Sequence, residues 1–142
     1  DSKQRLEWLL KAYNHPEIDS LPNNGKWLIY HNIGEVYENL NEYDSAMKYS
    51  KIIDINCRKL NIPIEVSYAN AIMGRVEKKR KNYAEALQYL KIAMSFSNKF
   101  GNPFLESEQS VELAGVFHEI NRPDSAIFYA EKALNGVKNL KI

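Results

Sequence analysis

Apolar residues recur along this chain at intervals of three and four, and the whole pattern returns every 40 residues. The stretch "NEYDSAMKYSKII", from Asn41, returns as "KNYAEALQYLKIA" from Lys81 and as "NRPDSAIFYAEKA" from Asn121. With that shift Gly34, Gly74 and Ala114 coincide, as do Ala46, Ala86 and Ala126, and Tyr49, Tyr89 and Tyr129. Ile53, Ala93 and Ala133 also coincide, and so do Leu60, Phe100 and Leu140. Pro63 and Pro103 match, while Pro22 stands one residue off the corresponding place. A repeat without gaps marks a fixed structural unit, and spacing by three and four makes that unit helical. In the first copy Tyr30, Ile33, Gly34 and Tyr37 share one helical face, and Ala46, Tyr49, Ile53 and Cys57 share another. Between the faces lies a short polar break, "NLNEYD", matched by "KRKNYA" and "EINRPD". Each unit therefore predicts a helix, a tight turn and an antiparallel helix. First helices are expected over 26–40, 63–80 and 103–120, and second helices over 43–59, 83–99 and 123–139. Residues 3–14 repeat the second-helix pattern, with Leu6, Leu9 and Tyr13 in the places of Ala46, Tyr49 and Ile53. The link at 15–25 is rich in turn formers and longer than the others. No alternating β-branched run and no Asn-Gly hairpin signal argues for strands.

Local chemistry supports these boundaries. Pro123 suits the first turn of a helix, where a missing N–H costs nothing. "GNP" at Gly101–Pro103 reads as a helix ended by glycine and another opened by proline behind an Asn cap, and "NIP" at Asn61–Pro63 does the same with Asn. Small residues explain the packing: Gly34 or Gly74 on one helix is expected to face Ala46 or Ala86 on its partner. A helix hairpin cannot bury its apolar face alone, so the units must stack. The expected fold is an all-α solenoid spanning 1–142, with a half-repeat at 3–14 and repeats at about 23–62, 63–102 and 103–142.

"LAGVFHEINRPDSAIFYAEKAL", from Leu113 to Leu134, resembles the tetratricopeptide repeat. That family carries small residues at its eighth and twentieth positions, an aromatic at its eleventh and an alanine at its twenty-seventh. Here these are Gly34, Tyr37, Ala46 and Ile53, then Ala114, Phe117, Ala126 and Ala133. The middle copy has Gly74, Ala86 and Ala93, but Glu77 stands where the aromatic belongs, which predicts looser packing on that side. The usual repeat is shorter, and the 40-residue form, with "KLN" or "KFGNP" between units, is similar to repeats of bacterial signalling and regulatory proteins. In those proteins such an array often precedes a histidine kinase or a helix-turn-helix output.

The resemblance implies a right-handed superhelix whose first helices line a concave face. Its partner-binding positions are then Leu28, His31, Glu35, Glu38 and Asn39; Tyr68, Ala71, Arg75, Lys78 and Lys79; and Glu108, Val111, Gly115, His118 and Glu119. Charge runs acidic, basic, acidic along that series, a pattern that would orient an extended or helical peptide. The competing reading is that these charges are simply solvated. Members that grip a peptide's terminal carboxylate use lysine and asparagine, whereas the matching places here hold His31 and Glu35, so that clamp is not expected.

Composition narrows the function further. The chain has 142 residues, 44% apolar and 26% charged, with a formal net charge of +1. Such a balance provides no global attraction to nucleic acid or anionic membrane. No apolar run approaches the ~20 residues of a membrane helix, and no secretory signal is visible. A start at Asp1 suggests a processed or excised chain. Cys57 is the sole cysteine, so neither an internal disulfide nor a Cys-based zinc site is expected. "EKKRK" at Glu77–Lys81 reads as a basic helix end complementing the dipole rather than as a nucleic-acid patch. His31 and Glu35, four apart, could share a metal only with a third ligand that the sequence does not offer. Cys57 with His31 would lack an oxyanion site and an orienting group. The expectation is a non-catalytic scaffold binding a protein or peptide, without cofactor or metal. Homo-oligomerisation through the repeat ends is the alternative, and an enzyme a distant third.

Overall fold

The computed structural model describes residues 1–138. These form seven α-helices and one 3₁₀ turn, with no strand among the described residues. The helices are α1 (Ser2–Tyr13), α2 (Gly25–Asn39), α3 (Tyr43–Lys59), α4 (Pro63–Lys79), α5 (Tyr83–Phe100), α6 (Pro103–Glu119) and α7 (Pro123–Lys138). Each boundary up to the start of α7 lies within one residue of the expected one. The expected end of α7 at residue 139, and Leu140, lie outside the described residues.

The turns show a periodicity finer than that of the side chains. Left-handed backbone recurs at Asn41 (φ 60°), Asn61 (56°), Lys81 (64°), Gly101 (72°) and Asn121 (59°), one residue in every 20. Around each, the same two bonds form. At the first turn the Asn41 N–H donates to Glu38 O at 3.0 Å and the Glu42 N–H to Tyr37 O at 2.9 Å. At the next, Asn61 N–H donates to Arg58 O and Ile62 N–H to Cys57 O, at 3.3 and 2.9 Å. This is the Schellman arrangement, which satisfies carbonyls that the helix end would otherwise orphan. Turns within a hairpin and turns between hairpins are thus the same object. Residues that read as inter-unit linker in "KFGNP" are helical through Phe100. Asn and Gly tolerate left-handed backbone and Lys does not. Pro63, Pro103 and Pro123 open their helices, and the Asn102 side chain accepts from the Leu105 N–H at 3.1 Å. The link before α2 holds the 3₁₀ turn Ile18–Ser20 and a tight turn in which Asn23 and Asn24 both have positive φ. There the Gly25 N–H donates to Pro22 O at 3.0 Å.

The helices pair as α2–α3, α4–α5 and α6–α7, with α1 against α2. Neighbouring first helices also touch, α2 with α4 and α4 with α6, while α3 and α5 meet the next unit through its first helix. Three core clusters mark these junctions. Trp27, Ile53, Cys57 and Val66 form one; Ala46, Ile72, Met73 and Val76 the next; Ala86, Leu90, Leu113 and Val116 the last. The expected close approach is present, but its nearest partners lie one turn further along. A methyl on Gly34 would come 3.3 Å from Ser50 Oγ and 3.8 Å from Ala46 O, and one on Gly74 would come 2.6 Å from Leu90 Cγ. Tyrosines fill the space beside the first unit: Tyr30 lies 5.0 Å from Tyr13, and Tyr49 lies 5.5 Å from Tyr13 and 5.7 Å from Tyr37, centroid to centroid.

Glu77 does not loosen the middle unit. It is buried, and its carboxylate accepts from Asn82 Nδ2 at 2.7 Å and Arg80 Nη1 at 3.1 Å, tying the end of α4 to the turn that follows. A buried carboxylate so bonded is satisfied.

Lys81→Gly should remove the left-handed penalty at the one ill-suited turn residue. We expect a gain of roughly 0.5–1 kcal/mol in unfolding free energy, part of the penalty being offset by the freer unfolded glycine. Urea melts at constant m-value test this, and an unchanged midpoint would rule out strain at that turn.

Candidate interaction surface

The positions expected on the first-helix face lie on α2, α4 and α6, and several of their charges pair with one another. Glu38 is 4% exposed. Arg75 Nε donates to its two oxygens at 3.0 and 3.1 Å, Arg75 Nη2 donates to Oε1 at 2.9 Å, and Lys79 Nζ donates to Oε2 at 3.0 Å. A carboxylate inside a protein is costly unless paired and bonded in this way. Burial works against the charge on Arg75, but hydrogen bonding to Glu38 and attraction from it and other carboxylates outweigh burial and hold its pKa above the ordinary value. On the other side Lys78 Nζ lies 3.4 Å from Glu112 Oε2 of α6. Arg5 of α1 reaches Glu35 at 3.7 Å and donates to Asn32 Oδ1 at 2.8 Å. The acidic and basic stripe therefore bolts adjacent first helices together. Leu28, Asn39, Lys79, Glu108, His118 and Glu119 remain exposed, and Ala71 is buried.

Between α4 and α6 these residues enclose a hollow of about 380 Å³, lined by Arg75, Lys78, Lys79, Lys81, Tyr83, Glu112 and Glu119. A smaller one of about 80 Å³ adjoins it, sharing Arg75 and Glu112 and adding Tyr68, Ala71 and Glu108. The middle unit's positions thus converge with Glu108 and Glu119. Leu28, His31, Glu35, Glu38, Asn39 and His118 line neither hollow, and Val111 lines a different cavity at the end of the array. Glu112 and Lys81 escaped the sequence reading, because the family positions skip Glu112 and Lys81 belongs to a turn.

His31 and Glu65 form a second polar centre. The His31 ring lies 4.4 Å from Tyr68, and its Nδ1 is 3.7 Å from Glu65 Oε2, too far for a hydrogen bond. Neither atom has a hydrogen-bond partner among the described residues. Burial lowers the pKa of His31; Glu35 raises it, and Arg75 and Arg5 lower it further. Burial raises that of Glu65. No three His, Cys, Asp or Glu side chains converge as a metal site among the described residues.

Cys57 sits wholly inside the core beside Trp27 and Val66, and burial pushes its thiol up to about 12. It is a protonated packing residue at neutral pH, unsuited to nucleophilic work. Each cation of the "KKR" run has an acidic neighbour: Lys78 faces Glu112, Lys79 faces Glu38, and Arg80 bonds Glu77 and Asp44. No described helix is long and apolar enough to cross a membrane.

Antiparallel helix hairpins, joined by identical turns and closed over glycine and alanine, define a helical-repeat scaffold. Residues 29–51, covering most of α2 and the first half of α3, match the tetratricopeptide repeat family model. The match covers one hairpin of the array and supports a tetratricopeptide repeat scaffold, a repeat type that indicates protein–protein interaction. No curated protein matches the chain.

Two outcomes follow. Arg75→Ala leaves buried Glu38 with Lys79 alone and should cost roughly 2–4 kcal/mol. Lys78→Ala breaks only a partly exposed pair and should cost less than about 1 kcal/mol. Denaturant melts that fail to separate the two would show that Glu38 needs no strut. For Glu65 the folded pKa lies above the unfolded one, so its favourable contribution is complete below about 4.5 and is lost as pH rises through the raised value. Glu65→Gln should therefore raise the melting temperature at pH 7–8, with the gain vanishing near pH 4.

Proposed function

We propose that this chain is the sensing or interaction module of a bacterial regulator, and that the face built by α2, α4 and α6 binds a segment of a partner protein. The observation that carries this reading is the α4–α6 hollow. Four cations, Arg75, Lys78, Lys79 and Lys81, border it, against Glu112 and Glu119 in its lining and Glu38 behind it. Tyr83 and, in the adjoining recess, Tyr68 and Ala71 supply apolar surface beside the charge. A peptide with an acidic side chain next to an apolar one fits that combination, with charge setting orientation and the apolar residue supplying affinity. The regulator assignment rests on the 40-residue period. The binding face requires no chemistry of its side chains, in keeping with a non-catalytic role.

Selection of displayed 12-residue peptides on the intact chain tests the reading. Enriched peptides should carry Asp or Glu beside an apolar residue. They should bind Lys78→Glu at least tenfold more weakly and lose affinity as salt rises. Peptides without acidic residues, or equal affinity for Lys78→Glu, would remove this face from the function.

A further inference from the structure

Two residues beside the α4–α6 hollow are poor choices for the backbone that carries them. The first is Lys81. Of the five left-handed residues that reverse the chain between helices, four are Asn or Gly, and Lys81, at φ 64°, is the fifth. Asn41 and Asn121 hold its place in the other two units. Lysine has neither the missing Cβ of glycine nor the short amide with which Asn eases that conformation. The second is Gly115, inside α6, where glycine is among the weakest helix formers. Its places in the earlier units hold Glu35 and Arg75.

Packing explains neither choice. A methyl on Gly74 would come 2.6 Å from the core side chain of Leu90, and one on Gly34 would meet Ser50 Oγ at 3.3 Å and Ile72 Cδ1 at 3.6 Å. A methyl on Gly115 would meet Lys78 alone beyond its own stretch of helix, 2.7 Å from Nζ and 3.4 Å from Cε, the far end of a side chain that can move. Lys81 is exposed. What the two share is the hollow. Lys81 lines it, and Gly115 lies between Glu112 and Glu119 on the face of α6 that borders it, since residues three and four apart share a helical face. A side chain at 115 as long as that of Arg75 would compete with Lys78 for this space. The other cations of the hollow are committed: Arg75 and Lys79 to Glu38, and Lys78 to Glu112. Lys81 pairs with no acid among the described residues, so it can take up an incoming carboxylate without giving up a partner. Local costs that cluster at one place mark function there.

We propose that Lys81 is the specificity-determining cation of the hollow, receiving the acidic side chain of the bound peptide, and that Gly115 keeps the floor beside Lys78 open for it. These roles rest on the reading of the hollow as a site for an acidic peptide segment. They add which residue takes the acid, and that the chain gives up stability to place it there. Stability and affinity must then move in opposite directions when either residue is replaced by one that suits its backbone.

The probes are 12-residue peptides selected on the intact 142-residue chain and weakened by Lys78→Glu, which places them in the hollow. Lys81→Gly and Lys81→Asn should bind them at least about fivefold more weakly and with a shallower dependence on salt, while Lys81→Arg binds about as tightly as the parent. The urea midpoints of Lys81→Gly and Lys81→Asn should lie above that of the parent, so that lost affinity is not lost folding. Gly115→Ala, which displaces Lys78 Nζ, should lower affinity at least about threefold without lowering the midpoint. Peptides that lose affinity for Lys78→Glu but keep it for both Lys81→Gly and Lys81→Asn would overturn the role of Lys81 and leave the hollow a peptide site. Parental affinity in Gly115→Ala would overturn the role of the glycine. Selected peptides that are all indifferent to Lys78→Glu would overturn the reading of the hollow, and both roles with it.

Discussion

From α2 onward, the helices are placed by the requirement that the chain stop, reverse and restart within two or three residues. Such a stop needs one residue in left-handed backbone, and the chain supplies one every 20 residues at Asn41, Asn61, Lys81, Gly101 and Asn121. The two hydrogen bonds around each end helices α2 to α6 in the same way. Helices ended alike and spaced alike present their faces in the same phase. That phase brings Gly34 and Gly74 under Ser50 and Leu90, and it sets each first helix beside the next. The backbone period is thus half the side-chain period. The 40-residue repeat arises because alternate helices take different roles, not because their connections differ.

Much of the fold was legible for this reason. Turn chemistry is local, so "NIP" and "GNP" announced their corners. Small residues at a fixed spacing announced the close approach of helices, and the boundaries up to the start of α7 fell within one residue. Glu77 was misread because the family pattern ranks that position by an aromatic ring. What matters there is that the following turn offers Asn82 and Arg80 as donors. The interaction surface was only half legible. Its residues could be named from the repeat, but Glu38 finds its partners 37 and 41 residues away, and a one-dimensional pattern cannot say which charges will neutralise each other. Val111 lines the cavity at the end of the array rather than the α4–α6 hollow, for a related reason. Its counterpart Ala71 lies beneath the next first helix, and no later unit is described to cover Val111.

Polar groups inside the array act at the junctions between units. Glu38, Arg75 and Lys79 join the first unit to the second, and Ser67, Ser97 and Gln109 join the second to the third. Apolar surfaces tolerate sliding and rotation, whereas a buried hydrogen-bond network is satisfied in one arrangement only. These two networks fix the rotation of each unit on its neighbour, and with it the spacing of α2, α4 and α6 along the face they share. The internal pairing also leaves the chain with little net field, in line with a surface that selects by local shape and charge.

The distribution of buried residues along the array is uneven. In α4 eleven of 17 residues are buried, in α7 only Ala133 is, and in α1 none is. In a linear array each unit is held by its neighbours alone, so resistance to opening must peak at α4 and fall toward both ends. Amide protons of α4 should exchange only through global unfolding, and those of α1 and α7 through cheap local opening. Among the described residues the array is then most rigid at α4 and looser at α1 and α7, and a ligand bound at either would act as a clamp. Binding would spread inward as slower opening of the hairpin beneath, so that occupancy could be relayed along the array as a change in its fluctuations rather than in its shape.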